Sequence, residues 1–339
     1  MASFLLTLKN IFNGFIAAAM LVPILLTMGN EGNPDTPVET YPDSDNPYIS
    51  EYLSPDISAH RSGAGIAPQN TLMAFENIIA NQDTLGVSTL EFDVQITADG
   101  ELILLHDLTY DATSNAVEAF GKKNNYASSI TFEEAQVLNM GENFKGDGSY
   151  PYRGLRGNDI PYNLRVAKCD DVIDYIEENC GNKEYRYVIE IKSIGSNGKK
   201  AVDKLYSIIA ERNLHDRFIW STFAPDVSSY MKSRYPEISR TADAIEAVQF
   251  YFYFRMNWEL SDVSPSYVAL QIPYGSSAFD NLINLGTKEM LNYAHKNNIA
   301  VQYWTINNED EVMTLTKNGA DCIMTDYPEM ASEAVNKCK

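Results

Sequence analysis

The chain of 339 residues has few basic side chains, and this shortage narrows what it can bind. Lysine and arginine number 26 against 46 aspartates and glutamates, which gives a formal net charge of −20. A nucleic acid needs a basic surface for its phosphates, so the composition excludes nucleic acid as the main partner. A small anionic substrate held in a locally basic pocket is compatible with the same composition.

Cysteine is also scarce, and the sequence motifs of two hydrolase classes are absent. Cys169, Cys180, Cys322 and Cys338 form no CxxC pair, so no zinc site is predicted. Cys169 and Cys180 flank a predicted helix that would hold them about 16 Å apart, too far for a disulfide. The sequence does not decide whether other pairs form. Neither HExxH nor GxSxG occurs, which argues against zinc peptidases and α/β-hydrolases.

One long hydrophobic run is present, over residues 11–28, and it follows a single lysine, Lys9. It is long enough to cross a bilayer, so we expect residues 1–28 to be a signal peptide or a membrane anchor. Both outcomes place the bulk of the chain outside the membrane, secreted or anchored to its outer face. Residues 29–50 are acidic, rich in proline and free of lysine and arginine, which predicts a solvated linker.

Residues 51–339 alternate strand and helix patterns. Strands are predicted over 56–60, 88–96, 101–106, 186–192, 217–222, 238–242, 266–272, 299–305 and 321–325. Helices are predicted over 71–82, 131–138, 169–179, 198–213, 225–234, 287–298, 308–318 and 329–337. Alternation over about 250 residues is typical of an α/β (β/α)8 barrel, the TIM barrel. Two stretches break the alternation, and we expect insertions on βα loops at 107–165 and 243–285.

Two carboxylates share one face of the strand predicted over 88–96. Glu91 and Asp93 alternate with apolar residues, so in a barrel they would point into its mouth and could bind a hard cation. Taken alone, the pattern also fits an antiparallel strand with one face in solvent.

The strand predicted over 186–192 repeats this arrangement. It places Glu190 and Lys192 on one face, which adds a third carboxylate and an ammonium suited to a phosphate oxygen. A surface ion pair is the alternative, but the strand is too apolar for a comfortable surface position.

Two of the four histidines end predicted strands. His60 and His106 would therefore lie at the carboxyl edge of the sheet, where barrel enzymes carry out catalysis. Such a pair can divide general-acid and general-base duty near neutral pH. Arg61, next to His60, offers a guanidinium for a phosphate. His215 and His295 are expected at the surface or at helix ends.

These residues belong to a set of short motifs that resembles a known enzyme family, the glycerophosphodiester phosphodiesterases. The motifs occur in family order and the resemblance covers residues 56–330. They are His60-Arg61, Pro68-Gln69-Asn70-Thr71, Glu91-Phe92-Asp93, His106-Asp107, Glu190-Ile191-Lys192, Trp304-Thr305-Ile306-Asn307 and Thr325-Asp326-Tyr327-Pro328.

The resemblance implies a (β/α)8 barrel that hydrolyses glycerophosphodiesters to glycerol phosphate and an alcohol with Ca²⁺ or Mg²⁺. It implies Glu91, Asp93 and Glu190 as metal ligands. It further implies His60 and His106 as the acid/base pair. Arg61 and Lys192 would bind the phosphate, and Trp304 would line the glycerol pocket, although an ordinary core position is an alternative for this tryptophan. Attack by water and attack by a glycerol hydroxyl through a cyclic phosphate are both open.

Two positions depart from the family pattern. Ser62 and Gly63 follow His60-Arg61 where the family has glycine first, and Gln69 replaces a glutamate. Because Gln69 removes a charge beside the site, we expect altered substrate preference or metal affinity rather than inactivity. The departures also motivate a second hypothesis, a surface binding module without catalysis.

A third hypothesis is a related phospholipase, of the phospholipase C or D kind, that acts on intact lipids. It rests on the N-terminal hydrophobic segment and on the aromatic run 249–254 in the second insertion. That run could form a lid or a membrane-facing patch, but we expect it to form a helix that packs on the barrel, since aromatic runs usually lie in cores.

Overall fold

The structure is a computed structural model, and it describes residues 32–41, 44–263, 265–275 and 284–339. The predicted signal or anchor segment at 11–28 lies outside the described residues, as do residues 276–283 of the second insertion. Within the described ranges, no helix has the length and apolarity needed to cross a bilayer.

A parallel sheet forms the centre of the domain. Its strands are β1 Asp56–Ala59, β2 Thr89–Ile96, β3 Leu102–Leu104, β4 Arg186–Ile191, β5 Phe218–Ser221, β6 Ala269–Pro273, β7 Ala300–Trp304 and β8 Cys322–Thr325. They lie in the order β5-β4-β2-β1-β8-β7-β6, with every neighbour on this path parallel, while β3 pairs antiparallel with β2. The fold is thus α/β with a parallel sheet of TIM-barrel-like form, as predicted.

Helices follow most of these strands. The α-helices are α1 Leu72–Ala80, α2 Gln82–Leu85, α3 Ala116–Ala119, α4 Phe132–Ala135, α5 Cys169–Asn179, α6 Gly195–Glu211, α7 Pro225–Arg234, α8 Ala244–Met256, α9 Lys288–Lys296, α10 Glu309–Asn318 and α11 Pro328–Asn336. The side chain of Thr71 caps α1 by accepting the Ala74 N–H, and Phe75, Ile78 and Ile79 bury its apolar face against the sheet.

The segment predicted as a strand over 238–242 is not a strand in the structure. Its backbone nevertheless joins the two end strands of the sheet. Trp220 of β5 donates its N–H to Ser239 (2.9 Å), and Ala242 donates to Ala269 of β6 (2.8 Å). Only isolated bridges form on each side of the segment, which is too little for a continuous ladder.

All eight residues of β2 are buried. This finding excludes the alternative of an antiparallel strand with one face in solvent, because Glu91 and Asp93 are 4% and 1% exposed. β2 lies between the parallel strands β1 and β4. A strand in the middle of such a sheet is buried on both faces.

The predicted insertion at 107–165 forms a lobe with a small core of its own. Tyr110, Ile130, Leu138 and Met140 are buried there. The helix predicted over 131–138 shortens to α4, which begins at a capping box formed by Thr131 and Glu134.

The aromatic run of the second insertion lies in α8 and packs on the domain, as expected. Phe250 and Tyr251 join the main core, while Ile245 and Val248 are exposed. The packing of Phe250 and Tyr251 agrees with the expected packing helix rather than with the alternative of a lid or a membrane-facing patch.

The described part of the predicted linker at 29–50 contacts the domain at several points, while many of its residues remain exposed to solvent. Asn33 and Thr36 both hydrogen-bond to Glu289 in α9 (2.8 and 2.6 Å). Tyr48 is 3% exposed and donates its hydroxyl to the Phe218 carbonyl at 3.2 Å. The acidic, proline-rich sequence did not indicate these contacts, because the segment buries a few separate side chains rather than a continuous apolar face.

Candidate active site

Strand register brings together residues that are far apart in the chain. Ala59 at the end of β1 pairs with Leu90 of β2 on one side and with Thr325 of β8 on the other. The next residues after Ala59 and Thr325 are His60 and Asp326. Since carboxyl ends of parallel strands share one edge, these two side chains leave the sheet as neighbours.

His60 contacts Asp326 directly. Its Nδ1 lies 2.7 Å from Asp326 Oδ1, and Asn307 Nδ2 donates to the other carboxylate oxygen at 2.7 Å. Burial alone would lower the pKa of His60, but the hydrogen bond to Asp326 and the charge of Glu91 outweigh it and raise the pKa. The environment therefore favours the imidazolium form of His60.

His106 has a similar partner but a different environment. Its Nδ1 lies 2.8 Å from Asp107 Oδ1, and the Asp107 carbonyl accepts a hydrogen bond from Gln95. Burial is the largest effect on the pKa of His106 and lowers it, and the nearby charge of Lys192 adds to the lowering. The environment therefore favours the neutral form of His106.

Three carboxylates lie beside the histidines. Asp93 and Glu190 are register partners on β2 and β4, and Glu91 precedes Asp93 on the same face. Burial raises the pKa of Glu91, and the charge of Asp93 raises it further. Burial likewise raises the pKa of Glu190 despite the nearby Lys192. The cluster thus carries more negative charge than its protein surroundings readily stabilise.

Lys192 partly balances this charge. Its Nζ lies 2.7 Å from Glu190 Oε1 and 3.2 Å from Asp93 Oδ1. Although burial opposes its charged form, these carboxylates raise the pKa of Lys192. Lys192 is therefore a fixed cation at the carboxylate cluster, able to contact an oxygen of a bound anion.

Arg61 lies in a tight backbone turn after β1. Its φ of 48° and the φ of 62° at Ser62 are both in the left-handed region. This conformation aims the Arg61 N–H at Glu91 Oε2 (2.7 Å), while Arg61 Nη1 donates to Gln69 Oε1 at 2.6 Å. Left-handed backbone is unfavourable for side chains with a Cβ, so the turn stores strain beside the site.

Asn70 orients Asp93. Its Nδ2 donates to Asp93 Oδ2 at 2.9 Å, and its Oδ1 accepts the Asp93 backbone N–H at 3.1 Å. Asn70 is 3% exposed, so this reciprocal pair fixes the carboxylate from the buried side.

A cavity of about 150 Å³, here called the inner cavity, lies among these groups. Its lining includes all eight predicted site residues, namely His60, Arg61, Glu91, Asp93, His106, Glu190, Lys192 and Trp304. Trp304 also contacts the ring of Phe223 edge to face, with centroids 6.2 Å apart. The two rings form the apolar part of the lining, and Lys192 Nζ lies 5.8 Å from the centroid of the Phe223 ring.

The other two histidines lie elsewhere. His215 is partly exposed and packs edge to face on Tyr206. His295 lies in the last turn of α9, at a helix end as predicted, but it is buried there. Its Nε2 lies 2.8 Å from Asp321 Oδ2. All four cysteines are free thiols in the structure.

The metal prediction has mixed geometric support. Across the described ranges, no group of three or more histidine, cysteine, aspartate or glutamate side chains is arranged to hold a metal ion. Glu91, Asp93 and Glu190 share the cavity, but Lys192 lies between the last two. The donor chemistry nonetheless fits a hard cation, because buried carboxylates in mutual repulsion are what such an ion would stabilise.

Four supporting residues were not predicted. Asn70, Asp107, Asn307 and Asp326 all lie within the sequence motifs but were given no role in the site. Asp107 follows His106 directly, Asp326 directly follows β8, and Asn307 lies shortly after β7. For these three that position was the available signal, but the partner of each side chain depends on how the strands are arranged; Asn70 has no such position.

Comparison with known proteins identifies the family. The model of the glycerophosphoryl diester phosphodiesterase family matches residues 60–330. A glycerophosphodiester phosphodiesterase of Caldanaerobacter subterraneus is 27% identical over 287 residues, which cover 83% of this chain and 98% of the relative.

Solved structures share the fold. The glycerophosphoryl diester phosphodiesterase domain of a Mycobacterium tuberculosis protein superposes with a TM-score of 0.63 at 17% identity, covering 83% of this chain and 98% of that one. An Oleispira antarctica phosphodiesterase, solved with the product sn-glycerol-3-phosphate, gives a TM-score of 0.60 at 18% identity, covering 83% and 97%. With the family model matched over most of its length, this chain belongs to the glycerophosphoryl diester phosphodiesterase family and is a phosphodiesterase.

Proposed function

We propose that this chain hydrolyses glycerophosphodiesters to glycerol phosphate and an alcohol, using His60 and His106 and a divalent metal, Ca²⁺ or Mg²⁺. The observation that carries the proposal is the inner cavity, which gathers two strand-end histidines, three carboxylates and two cations. The names of the relatives and the product bound to the Oleispira antarctica phosphodiesterase support the same reaction.

The two histidines divide the proton transfers. Each has a carboxylate at Nδ1, which leaves Nε2 for the substrate. His60, whose pKa is raised, is the general acid that protonates the leaving alkoxide. His106, whose pKa is lowered, is the general base that accepts the proton of the attacking oxygen. Opposite pKa shifts in one site are the usual basis for such a division.

Arg61 and Lys192 bind the phosphate. They are the cations of the inner cavity, and charge developing on the phosphoryl oxygens would strengthen both contacts. The glycerol hydroxyls would meet Gln271, Ser221 or Thr241 on the same lining. The attacking oxygen is water or a glycerol hydroxyl, and a cyclic phosphate among early products would identify the second route.

Glu91, Asp93 and Glu190 would hold the metal. When bound, a divalent cation would polarise a phosphoryl oxygen as a Lewis acid. Asn70 orients Asp93, and the Arg61 backbone N–H orients Glu91, whether or not an ion is present.

We also propose a complete (β/α)8 barrel, in which residues 239–242 occupy the remaining strand position because they bridge β5 and β6. We further propose that the protein lies outside the cytoplasmic membrane, exported by residues 11–28 as a cleaved signal or a retained anchor. Fractionation of expressing cells, followed by N-terminal sequencing, tests location and cleavage together.

Release of glycerol phosphate from purified protein tests the reaction. The substrates are glycerophosphoglycerol and glycerophosphocholine, assayed with Ca²⁺, with Mg²⁺ and with EDTA. We expect turnover that falls at least about a hundredfold in His60→Ala and His106→Ala. His215→Ala is the matched control, because His215 lies outside the inner cavity. Absence of turnover in the unmodified protein with either metal would refute the proposal and favour a binding module.

A further inference from the structure

A second cavity adjoins the inner one and shares two of its residues. This outer cavity, of about 410 Å³, lies between the turn after β1 and the lobe formed by the first insertion. His60 and Arg61 line both cavities, whereas His106 and the three carboxylates line only the inner one. The boundary between the cavities therefore coincides with the general acid and a phosphate-binding cation.

This division matches what the reaction needs. The attacking and leaving oxygens lie on opposite sides of phosphorus, so the leaving alcohol must extend away from the general base. His60 lines the outer cavity, whereas His106 lines only the inner one. His60, present at the boundary, is positioned to protonate an oxygen that enters this cavity.

The charged side chains of the outer cavity favour anions. Besides His60, the charged residues that line it within the described ranges are Arg61, Lys145 and Asp326. Asp326 is engaged by His60 and by Asn307. Arg61 Nε also lies 3.6 Å from Asp93 Oδ2 of the inner cavity, so Lys145 is the decisive cation of this lining. Counted over the lining side chains themselves, positive charge exceeds negative charge in a protein whose formal net charge is −20.

Gln69 preserves this excess. Its Oε1 accepts a hydrogen bond from Arg61 Nη1 at 2.6 Å, so it positions the guanidinium without neutralising it. A glutamate at this position would place a second carboxylate beside Arg61, in addition to Asp93, and would add one negative charge to the lining. Asn143 adds a polar side chain to the same lining. A quaternary ammonium head group would be repelled by Arg61 and Lys145 together.

We propose that the outer cavity is the subsite for the leaving alcohol and that it selects an alcohol bearing its own negative charge, such as a second phosphate. Neutral polyols rank next, and ammonium head groups rank last. Lys145 and Gln69 are its specificity-determining residues. This inference rests on the proposed hydrolysis of glycerophosphodiesters.

The test compares three diesters that share the glycerol phosphate and differ in the alcohol. They are glycerophosphoglycerol phosphate, glycerophosphoglycerol and glycerophosphocholine, and kcat/KM is measured for each. We expect the values to fall in that order. Lys145→Glu should lower kcat/KM for the anionic substrate by about fivefold and raise it for the choline substrate. Gln69→Glu should change the ratio in the same direction.

Two controls separate the subsite from other effects. Lys123→Glu makes the same change in net charge on an exposed part of the same lobe, away from the cavity lining, and should leave the ratio between substrates unchanged. Glycerol phosphate is expected to bind in the inner cavity, so its inhibition should be the same in Lys145→Glu as in the unmodified protein.

Equal kcat/KM values for the three substrates, or an equal change for all three in Lys145→Glu, would overturn the subsite while leaving hydrolysis established. No turnover of any substrate would instead overturn the proposed function. In that case calorimetric titration of the same three diesters still tests the subsite, because their affinities should follow the same order. Affinities in another order would overturn it.

Discussion

Asp326 Oδ1 lies 2.7 Å from Nδ1 of His60, although the two residues are 266 positions apart in the chain. The residue that follows the last strand thus supplies a carboxylate to the histidine that follows the first strand. This carboxylate orients the His60 ring and favours its protonated form. This contact links the closure of the sheet to the protonation state of the proposed general acid.

Asp326→Asn should weaken this support. Without the carboxylate, burial would dominate and the pKa of His60 would fall, because the charge that favours imidazolium is removed. A general acid acts in its protonated form, so activity is lost as pH rises through its pKa. We expect kcat/KM to fall about a hundredfold and the alkaline limb to move to lower pH. A pH profile with an unmoved alkaline limb would contradict the assignment of His60.

Metal binding should depend on the carboxylate cluster. We expect Glu91→Gln to weaken Ca²⁺ or Mg²⁺ binding by at least about tenfold, measured by calorimetry in the absence of substrate. Glu329→Gln, on an exposed position of α11, is the matched control. Equal affinities in Glu91→Gln and the control would show that Glu91 is not a ligand.

Ser62 should be a position where glycine stabilises the protein. Its φ is 62°, its side chain is fully buried, and among the described residues its hydroxyl has no hydrogen-bond partner. Ser62→Gly removes the left-handed strain, so we expect the free energy of unfolding to rise by about 1 kcal/mol. The melting temperature should rise by about 2 °C.

Gly63→Ala is the opposite control. Its φ is 82°, and an added Cβ would meet Ile66 Cγ1 at 3.0 Å. This change should lower the melting temperature. A melting temperature that falls in Ser62→Gly would mean that the serine hydroxyl stabilises the turn and that the strain argument is wrong.

The packed N-terminal segment should stabilise the domain. Tyr48 is surrounded by Val188, Ile219 and other residues of the strands, so Tyr48→Ala should cost about 3 kcal/mol in the free energy of unfolding. A fragment of residues 51–339 should unfold at lower urea concentration than one of residues 32–339. Coincident urea transitions of the two fragments would show that the segment contributes nothing.

Acid should weaken the start of α8. Burial opposes ionisation of Asp243 and Glu246, but hydrogen bonds from Lys232 and Arg240 outweigh it and lower both pKa values below 3.8 and 4.5. Groups with depressed folded pKa values stabilise a fold above their unfolded pKa and lose that contribution as pH falls.

Stability should therefore decline below about pH 4.5, and Asp243→Asn should flatten that decline while lowering stability at pH 7. Urea unfolding at several pH values measures both effects. An unchanged slope in Asp243→Asn would mean that other carboxylates cause the acid sensitivity.

The sequence predicted the residues that line the inner cavity because the alternation of polar and apolar residues along a strand is a local property. Glu91, Asp93 and Glu190 could be assigned from the position of each within its own strand. His106 lines the inner cavity for a different reason from the predicted one, because it follows β3, which runs antiparallel to β2 rather than parallel to it. The hydrogen-bond partners of these residues could not be predicted, because they depend on tertiary structure. Asn70, for example, contacts Asp93 only because of the path of the chain after β1.

The packed segment before β1 was misjudged for a related reason. Tyr48 is a single buried aromatic in an acidic, proline-rich stretch, and one such residue leaves no periodic pattern. The segment at 238–242 has a strand-like pattern, but only isolated bridges hold it between β5 and β6.

The division of labour between His60 and His106 is the central claim, and the leaving group tests it most directly. An activated ester, glycerol phospho-p-nitrophenol, needs no general acid because its leaving group is stable as an anion. We predict that His60→Ala regains most of its activity on this ester while His106→Ala does not. Rescue of His106→Ala without rescue of His60→Ala would contradict the assignment of acid and base.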